Sequence, residues 1–223
     1  GSMKIGISLQ NKKWIFYAVA ILLPYLYREL GSVLTLLAFP NAFNSEKVKE
    51  IGIPQEALWM LPLALIASCC LYSVGALGEE AGWRGYMMPK LQELFGIKGA
   101  VLTGGIIWGI WHFPANMAGH NFGTDYWGEP WSGFVSFTIF TVAAGAILTW
   151  LTIKSGSVWP AAFMHAVNNG GGSILSLYLD DSKITGWLAE PPVLAAYQSI
   201  PVLIIAVLMV IDLCRPEKKK KNK

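Results

Sequence analysis

Ala57 to Leu77 reads ALWMLPLALIASCCLYSVGAL, twenty-one residues without a charge, and runs directly into Gly78-Glu79-Glu80-Ala81-Gly82-Trp83-Arg84. Gly99 to Trp111 is again uncharged. An apolar run of this length is what a helix needs to cross a hydrocarbon core about 30 Å thick. Two adjacent carboxylates and a guanidinium are costly in such surroundings, so their presence marks a functional site.

The rest of the chain fits a membrane protein. Hydrophobic residues make up 54% of the 223, charged residues only 14%, and mean hydropathy is +0.46, too little polar surface to cover a soluble fold. Apolar runs place six spans at roughly 14–39, 57–92, 98–117, 133–153, 158–179 and 193–213. The expected fold is therefore all-α, a polytopic membrane helical bundle of about six transmembrane helices. Residues 4–214 form one membrane-embedded domain in this reading. Gly1-Ser2-Met3 resembles a cloning scar, and 215–223 is a basic cytoplasmic tail.

Basic residues set the orientation, because they accumulate on the cytoplasmic side. With both termini inside, the inner segments hold Lys4, Lys12, Lys13, Arg84, Lys90, Lys98, Lys154, Arg215, Lys218–Lys221 and Lys223, thirteen of the seventeen Lys and Arg. A multi-pass protein with both ends cytoplasmic is expected, and its small size and short loops point to a plasma membrane. The lysine tail reads as a topology signal touching anionic lipid, not as a nucleic-acid surface. Arg28 and Glu29 lie within the first span, about 100° apart on its helix, and are expected to find partners on other helices. Cys69, Cys70 and Cys214 have neither the spacing of a disulfide framework nor that of a zinc ribbon. The sequence leaves the oligomeric state open.

Two later polar clusters join Glu79, Glu80 and Arg84. They are Trp108 with His112, and His165 with Asn169, each pair four residues apart on one helix face. Counted from Lys90, Lys98 and Lys154 at ~1.5 Å per residue, Glu79, His112 and His165 lie roughly 16, 21 and 16 Å deep. Three clusters distant in sequence thus reach a similar level, which points to convergence. Gly75, Gly78, Gly82 and Gly85 form a small-residue stripe expected to admit a neighbouring backbone, with Glu79 beside the crevice. Glu80 and Arg84 share another face as a charge-balancing pair. His112 or His165 alone would be an ordinary packing histidine, and His120, in an outer loop, receives no role.

The set Glu79-Glu80-x-x-x-Arg84, Trp108-x-x-x-His112 and His165-x-x-x-Asn169 resembles the CPBP family. These are the CAAX proteases and bacteriocin-processing enzymes, also called Abi proteins, among them the Rce1-type prenyl-protein endopeptidases. Order and spacing match over roughly 60–175, as do Arg84-Gly-Tyr-Met-Met-Pro-Lys-Leu and Gly156-Ser-Val-Trp-Pro. Trp108 departs from the phenylalanine common at that position but keeps an aromatic wall.

The resemblance implies intramembrane hydrolysis of a peptide bond near the C-terminus of a membrane-associated protein or peptide, within the lipid bilayer. Carried over residue by residue, Glu79 activates water, and His112 positions it or protonates the leaving amine. His165 and Asn169 stabilise the oxyanion, with Glu80, Arg84 and Trp108 supporting. This needs no cofactor. The same residues admit an alternative, zinc held by Glu79, His112 and His165 with water at the open position. A non-catalytic immunity or scaffold protein, or a proton-coupled transporter, are further readings. The full motif set speaks against the scaffold, and the lack of an inverted repeat speaks against the transporter.

Overall fold

The structure, a computed structural model, describes residues 6–7, 9–50, 52 and 54–216. Residues 1–3, expected to be a scar, and 217–223 of the expected tail 215–223 lie outside these residues, as do the side chains of Cys69 and Cys70. Cys214 is a free, exposed thiol. The expected helical bundle is what the chain forms. Its helices are α1 (Trp14–Ala38), α2 (Lys47–Glu50), α3 (Leu61–Gly82), α4 (Met88–Met117), α5 (Trp131–Ser155), α6 (Trp159–Gly170), α7 (Pro191–Gln198) and α8 (Ile200–Cys214).

By length and composition, Trp14–Ala38, Leu71–Met117 and Trp131–Ser155 can cross a membrane; α7 and α8, bent by 44°, add a fourth crossing if counted together. The solvent is written on the outside of the bundle. Leu22, Leu26, Leu30, Val33 and Leu37 of α1, and Ile204, Val207, Leu208 and Ile211 of α8, point outward. Ser32, Thr35, Glu80, Arg84, Thr141 and His165 are buried. Apolar outside and polar inside is the arrangement a bilayer stabilises, since a polar group facing hydrocarbon would lack a partner.

Leu71–Met117 is 47 residues long, but Gly96 interrupts it with φ 66° and ψ 178°. Glycine takes this left-handed conformation without a Cβ clash, so the chain can reverse there. Met88 and Leu91 of one limb then pack against Gly104 of the other. The break falls within the 93–97 gap between the second and third expected spans. Trp83–Met87, linking α3 to α4, is a turn of π-helix. Such turns concentrate at functional sites because they change which side chains share a face.

The fifth expected span, 158–179, is shorter than its hydropathy suggests. Helix α6 stops at Gly170, twelve residues or ~18 Å from its start. The run Gly170-Gly171-Gly172 is a poor helix former, and the chain continues as short 3-10 turns.

Helix α5 is the centre of the bundle, with Ala143–Thr149, Leu151 and Thr152 buried. It lies against α4 where Gly105 and Gly109 remove side chains from the contact. A Cβ on Gly105 would meet the backbone and Cγ2 of Val142, and one on Gly109 would stand 2.6 Å from Thr138 Oγ1. Thr141 Oγ1 donates to the Gly105 carbonyl at 2.9 Å, made possible by this approach. The stripe Gly75, Gly78 and Gly82 behaves otherwise: Cβ atoms there would meet nothing within 4 Å. Among the described residues the expected close backbone is absent from these three positions. Helix α3 instead presents Ala76 to Ala162 and Ala166 of α6.

Gly105→Ala is expected to cost about 1–3 kcal/mol by overpacking, whereas Gly75→Ala should stay within about 0.5 kcal/mol. Reversible unfolding of the two purified variants in one detergent checks the contrast. Equal losses would place a packed helix against Gly75 after all.

Candidate active site

The polar centre is built on α3, α4 and α6 around one carboxylate. Glu80 is fully buried, and its Oε1 accepts from Arg84 Nη1 at 3.0 Å. The same oxygen lies 2.9 Å from His165 Nδ1. The expected Glu80–Arg84 pair is therefore present, and it has a third member that spacing could not reveal: Glu80 and His165 are 85 residues apart. Arg84 reaches this level because its guanidinium passes over the Trp108 ring at 4.7 Å and lies beside Gly145, where a Cβ would come within 3.2 Å of Nη2. Glycine at 145 leaves room for the charge.

Trp108, 4% exposed, joins the two histidines. Its ring meets His112 at 5.7 Å and His165 at 5.4 Å, both edge-on. His112 is enclosed further by Trp111 at 4.7 Å and Phe137 at 4.8 Å. An aromatic wall of this kind excludes water and strengthens the electrostatics inside it. His112 Nδ1 hydrogen-bonds to the Trp108 carbonyl at 3.0 Å. A carbonyl only accepts, so Nδ1 carries the proton and Nε2 is left as the acceptor. In His165, with Nδ1 engaged by Glu80, Nε2 is likewise the ring atom left for a ligand.

Glu79 is half-buried and lies within electrostatic reach of both His112 and Arg84. Among the described residues its Oε2 is buried without a hydrogen-bond partner, as are Glu80 Oε2, Arg84 Nε and Trp108 Nε1. Buried polar atoms are almost always satisfied, so this grouping of unsatisfied ones marks a place built for a polar guest. Asn169 sits one helical turn beyond His165 and is exposed at the open end of α6. His120 lies in the loop after α4 and is exposed.

The set Glu79, His112 and His165 does not form a metal shell. Among the described residues no three His, Cys, Asp or Glu side chains stand close enough to hold one ion. His165 Nδ1 and His112 Nδ1 are each engaged by a protein acceptor, and Nε2 of each ring stays open to a ligand.

Sequence reasoning missed the neighbour of Asn169. Asn168 Oδ1 accepts from Tyr27 Oη at 2.6 Å, and its carbonyl accepts from Arg28 Nη2 at 2.5 Å. Glu29 accepts from Ser173 Oγ at 2.9 Å and from the backbone N–H groups of Ile174 and Leu175. Arg28 and Glu29 thus find partners on other elements, as expected, and the partners are neutral groups.

Residues 56–171 match the family described as type II CAAX prenyl endopeptidase Rce1-like. The chain is also 30% identical over 116 residues to the CAAX prenyl protease 2 of Methanococcus maripaludis, covering 51% of this chain and 42% of that protein. The matched stretch contains Glu79, Glu80, Arg84, Trp108, His112, His165 and Asn169, and it excludes α1, α7 and α8. A match across half the chain, carrying those residues in order, leads to one conclusion: the chain belongs to the Rce1-like family of CAAX prenyl endopeptidases.

Proposed function

We propose that this protein is an intramembrane endopeptidase that hydrolyses a peptide bond near the C-terminus of a prenylated or otherwise membrane-associated substrate. The observation that carries the reading is the separation of the two carboxylates. Glu80 is committed to Arg84 and His165, while Glu79 keeps an unpaired oxygen beside His112. One carboxylate organises and the other is free to react.

In this mechanism Glu79 takes a proton from a water molecule held between its carboxylate and His112 Nε2. The water oxygen forms a bond to the scissile carbonyl carbon, and the carbonyl π electrons move to oxygen. His165 acts here as an imidazolium paired with the Glu80 carboxylate, giving Nδ1–H to Glu80 and Nε2–H to the oxyanion, and the Asn169 amide donates beside it. Donors fixed in advance within a water-poor site lower the barrier most where charge develops. The oxyanion collapses, the C–N bond breaks, and the amine leaves with the proton first taken by Glu79, delivered directly or through His112. Water is consumed, and one carboxylate and one amine are formed.

The alternative of a non-catalytic immunity or scaffold protein gives no reason for an unpaired Glu79 at this depth. The distribution of lysine and arginine supports an orientation with both termini cytoplasmic, and the small size and short loops support the plasma membrane as the setting.

The test is direct. Purified protein in detergent is incubated with a short farnesylated peptide and its unprenylated counterpart, and the products are identified by mass spectrometry. Release of a short C-terminal fragment is expected, and recovery of both peptides intact would overturn the reading. Asn169→Ala should lower kcat by about 100- to 1,000-fold with little change in KM, as for a donor strongest in the transition state. A change confined to KM would move Asn169 to substrate binding.

A further inference from the structure

A second polar feature lies beside the active site. A cavity of about 340 Å³ is lined by Tyr27, Arg28, Phe137, Asn168, Ser173 and Gln198, among others. That volume is at the lower end of small-ligand sites, which run from about 300 to 1,000 Å³. It shares two walls with the polar centre. Phe137 packs on the His112 ring at 4.8 Å, and Asn168 is three residues beyond His165 on α6.

Arg28 gives the cavity its chemistry. Among the described residues it makes no ion pair: its Nη2 donates to the Asn168 carbonyl and contacts Asn168 Oδ1 at 3.4 Å, both neutral acceptors. Its Nε is buried without a partner. The adjacent Glu29 is fully occupied by Ser173 and the backbone of Ile174 and Leu175. Arg84, the other guanidinium inside the bundle, is neutralised by Glu80. Arg28 is thus a half-buried cation lining a cavity, with donors to spare and, among the described residues, no direct ion pair, its neighbour Glu29 being turned to Ser173. Such a group is costly unless an anion completes it, and the planar guanidinium fits a carboxylate through two parallel N–H···O bonds.

We propose that Arg28 binds the C-terminal carboxylate of the peptide substrate, so that the cavity measures where the cut falls relative to the chain end. This rests on the peptidase reading. From His165 to Asn168 is a rise of ~4.5 Å along α6, and extended peptide covers about 3.3 Å per residue. A peptide with its scissile carbonyl at His165 therefore needs only about one or two further residues to cover that rise and bring its terminus towards Arg28. Tyr27 Oη, Ser173 and Gln198 offer additional polar contacts around the last residue. Arg28 lies on α1, outside the residues matched to the family.

The experiment separates binding from turnover. A short fluorescein-labelled farnesylated peptide is made as the C-terminal acid and as the C-terminal amide, and its affinity for the purified protein in micelles is measured by anisotropy. The acid is expected to bind wild-type protein about 10- to 100-fold more tightly, the range for a hydrogen-bonded charge pair. In Arg28→Gln the two affinities should fall within about twofold of each other, and Arg28→Lys should keep part of the difference. The wild-type comparison requires no variant to fold. Equal binding of acid and amide to wild type, or an undiminished preference in folded Arg28→Gln, would overturn the proposal. Glycerophosphate displacing a peptide whose acid and amide bind alike would assign the cavity to a phospholipid headgroup and also overturn it. An acid preference in a protein that cleaves neither peptide would sink the peptidase reading while leaving the carboxylate site standing.

Discussion

Glu79→Ala is expected to fold normally and to lose turnover by at least about 1,000-fold. Glu79 is only half-buried and makes no ion pair among the described residues, so its removal leaves no buried charge stranded. The loss is chemical. A positioned general base contributes about 100- to 10,000-fold, and here the same carboxylate also returns the proton to the leaving amine. Steady-state cleavage of a prenylated peptide, with unfolding followed in parallel, measures both quantities. A well-folded Glu79→Ala protein that turns over within tenfold of wild type would remove Glu79 from the reaction.

Glu80→Ala should fail in a different way, losing stability as well as activity. Glu80 is 0% exposed and is the shared acceptor of Arg84 and His165. Deleting it leaves a buried guanidinium without its counter-charge, which costs about 3–5 kcal/mol. It also frees the His165 ring to turn. Glu80→Ala combined with Arg84→Ala provides the sharper measurement, because removing both charges should recover part of the stability while turnover stays low. Unfolding in detergent and peptide cleavage are read on the same samples. If the double variant is no more stable than Glu80→Ala alone, the Arg84–Glu80 pair is not what holds the site together.

The two carboxylates illustrate what could be read in advance. Uncharged runs located the helices, since burying Glu79, Glu80 and Arg84 in hydrocarbon needs a compensating structure. Distances counted from Lys90, Lys98 and Lys154 brought His112 and His165 to one level. Geometry along one helix was also legible: Glu80 and Arg84, four apart, are hydrogen-bonded. Between helices the same method fails, because a helical wheel gives relative directions and not the face that packs. The glycine stripe shows this. Gly75, Gly78 and Gly82 do share a face, but that face is open, and Ala76 and Glu80 make the contacts. Hydropathy likewise carried α6 past Gly170, since an average over a window smooths over three consecutive glycines. Nothing local tells Asn168 from Asn169. Their difference is made by Tyr27 and Arg28, about 140 residues away.

Helix α1 stands apart in this arrangement. The stretch shared with relatives begins at residue 56, well after α1 ends at Ala38, yet Tyr27, Arg28 and Ser32 of α1 line the cavity beside the reacting groups. On the roles proposed above, bond-breaking and substrate choice fall in separate parts of the polypeptide. Residues 79–169 would hold the hydrolytic groups, and 14–38 would supply a gauge of what is presented to them. A change confined to that helix would then alter what is presented while leaving the hydrolytic groups as they are.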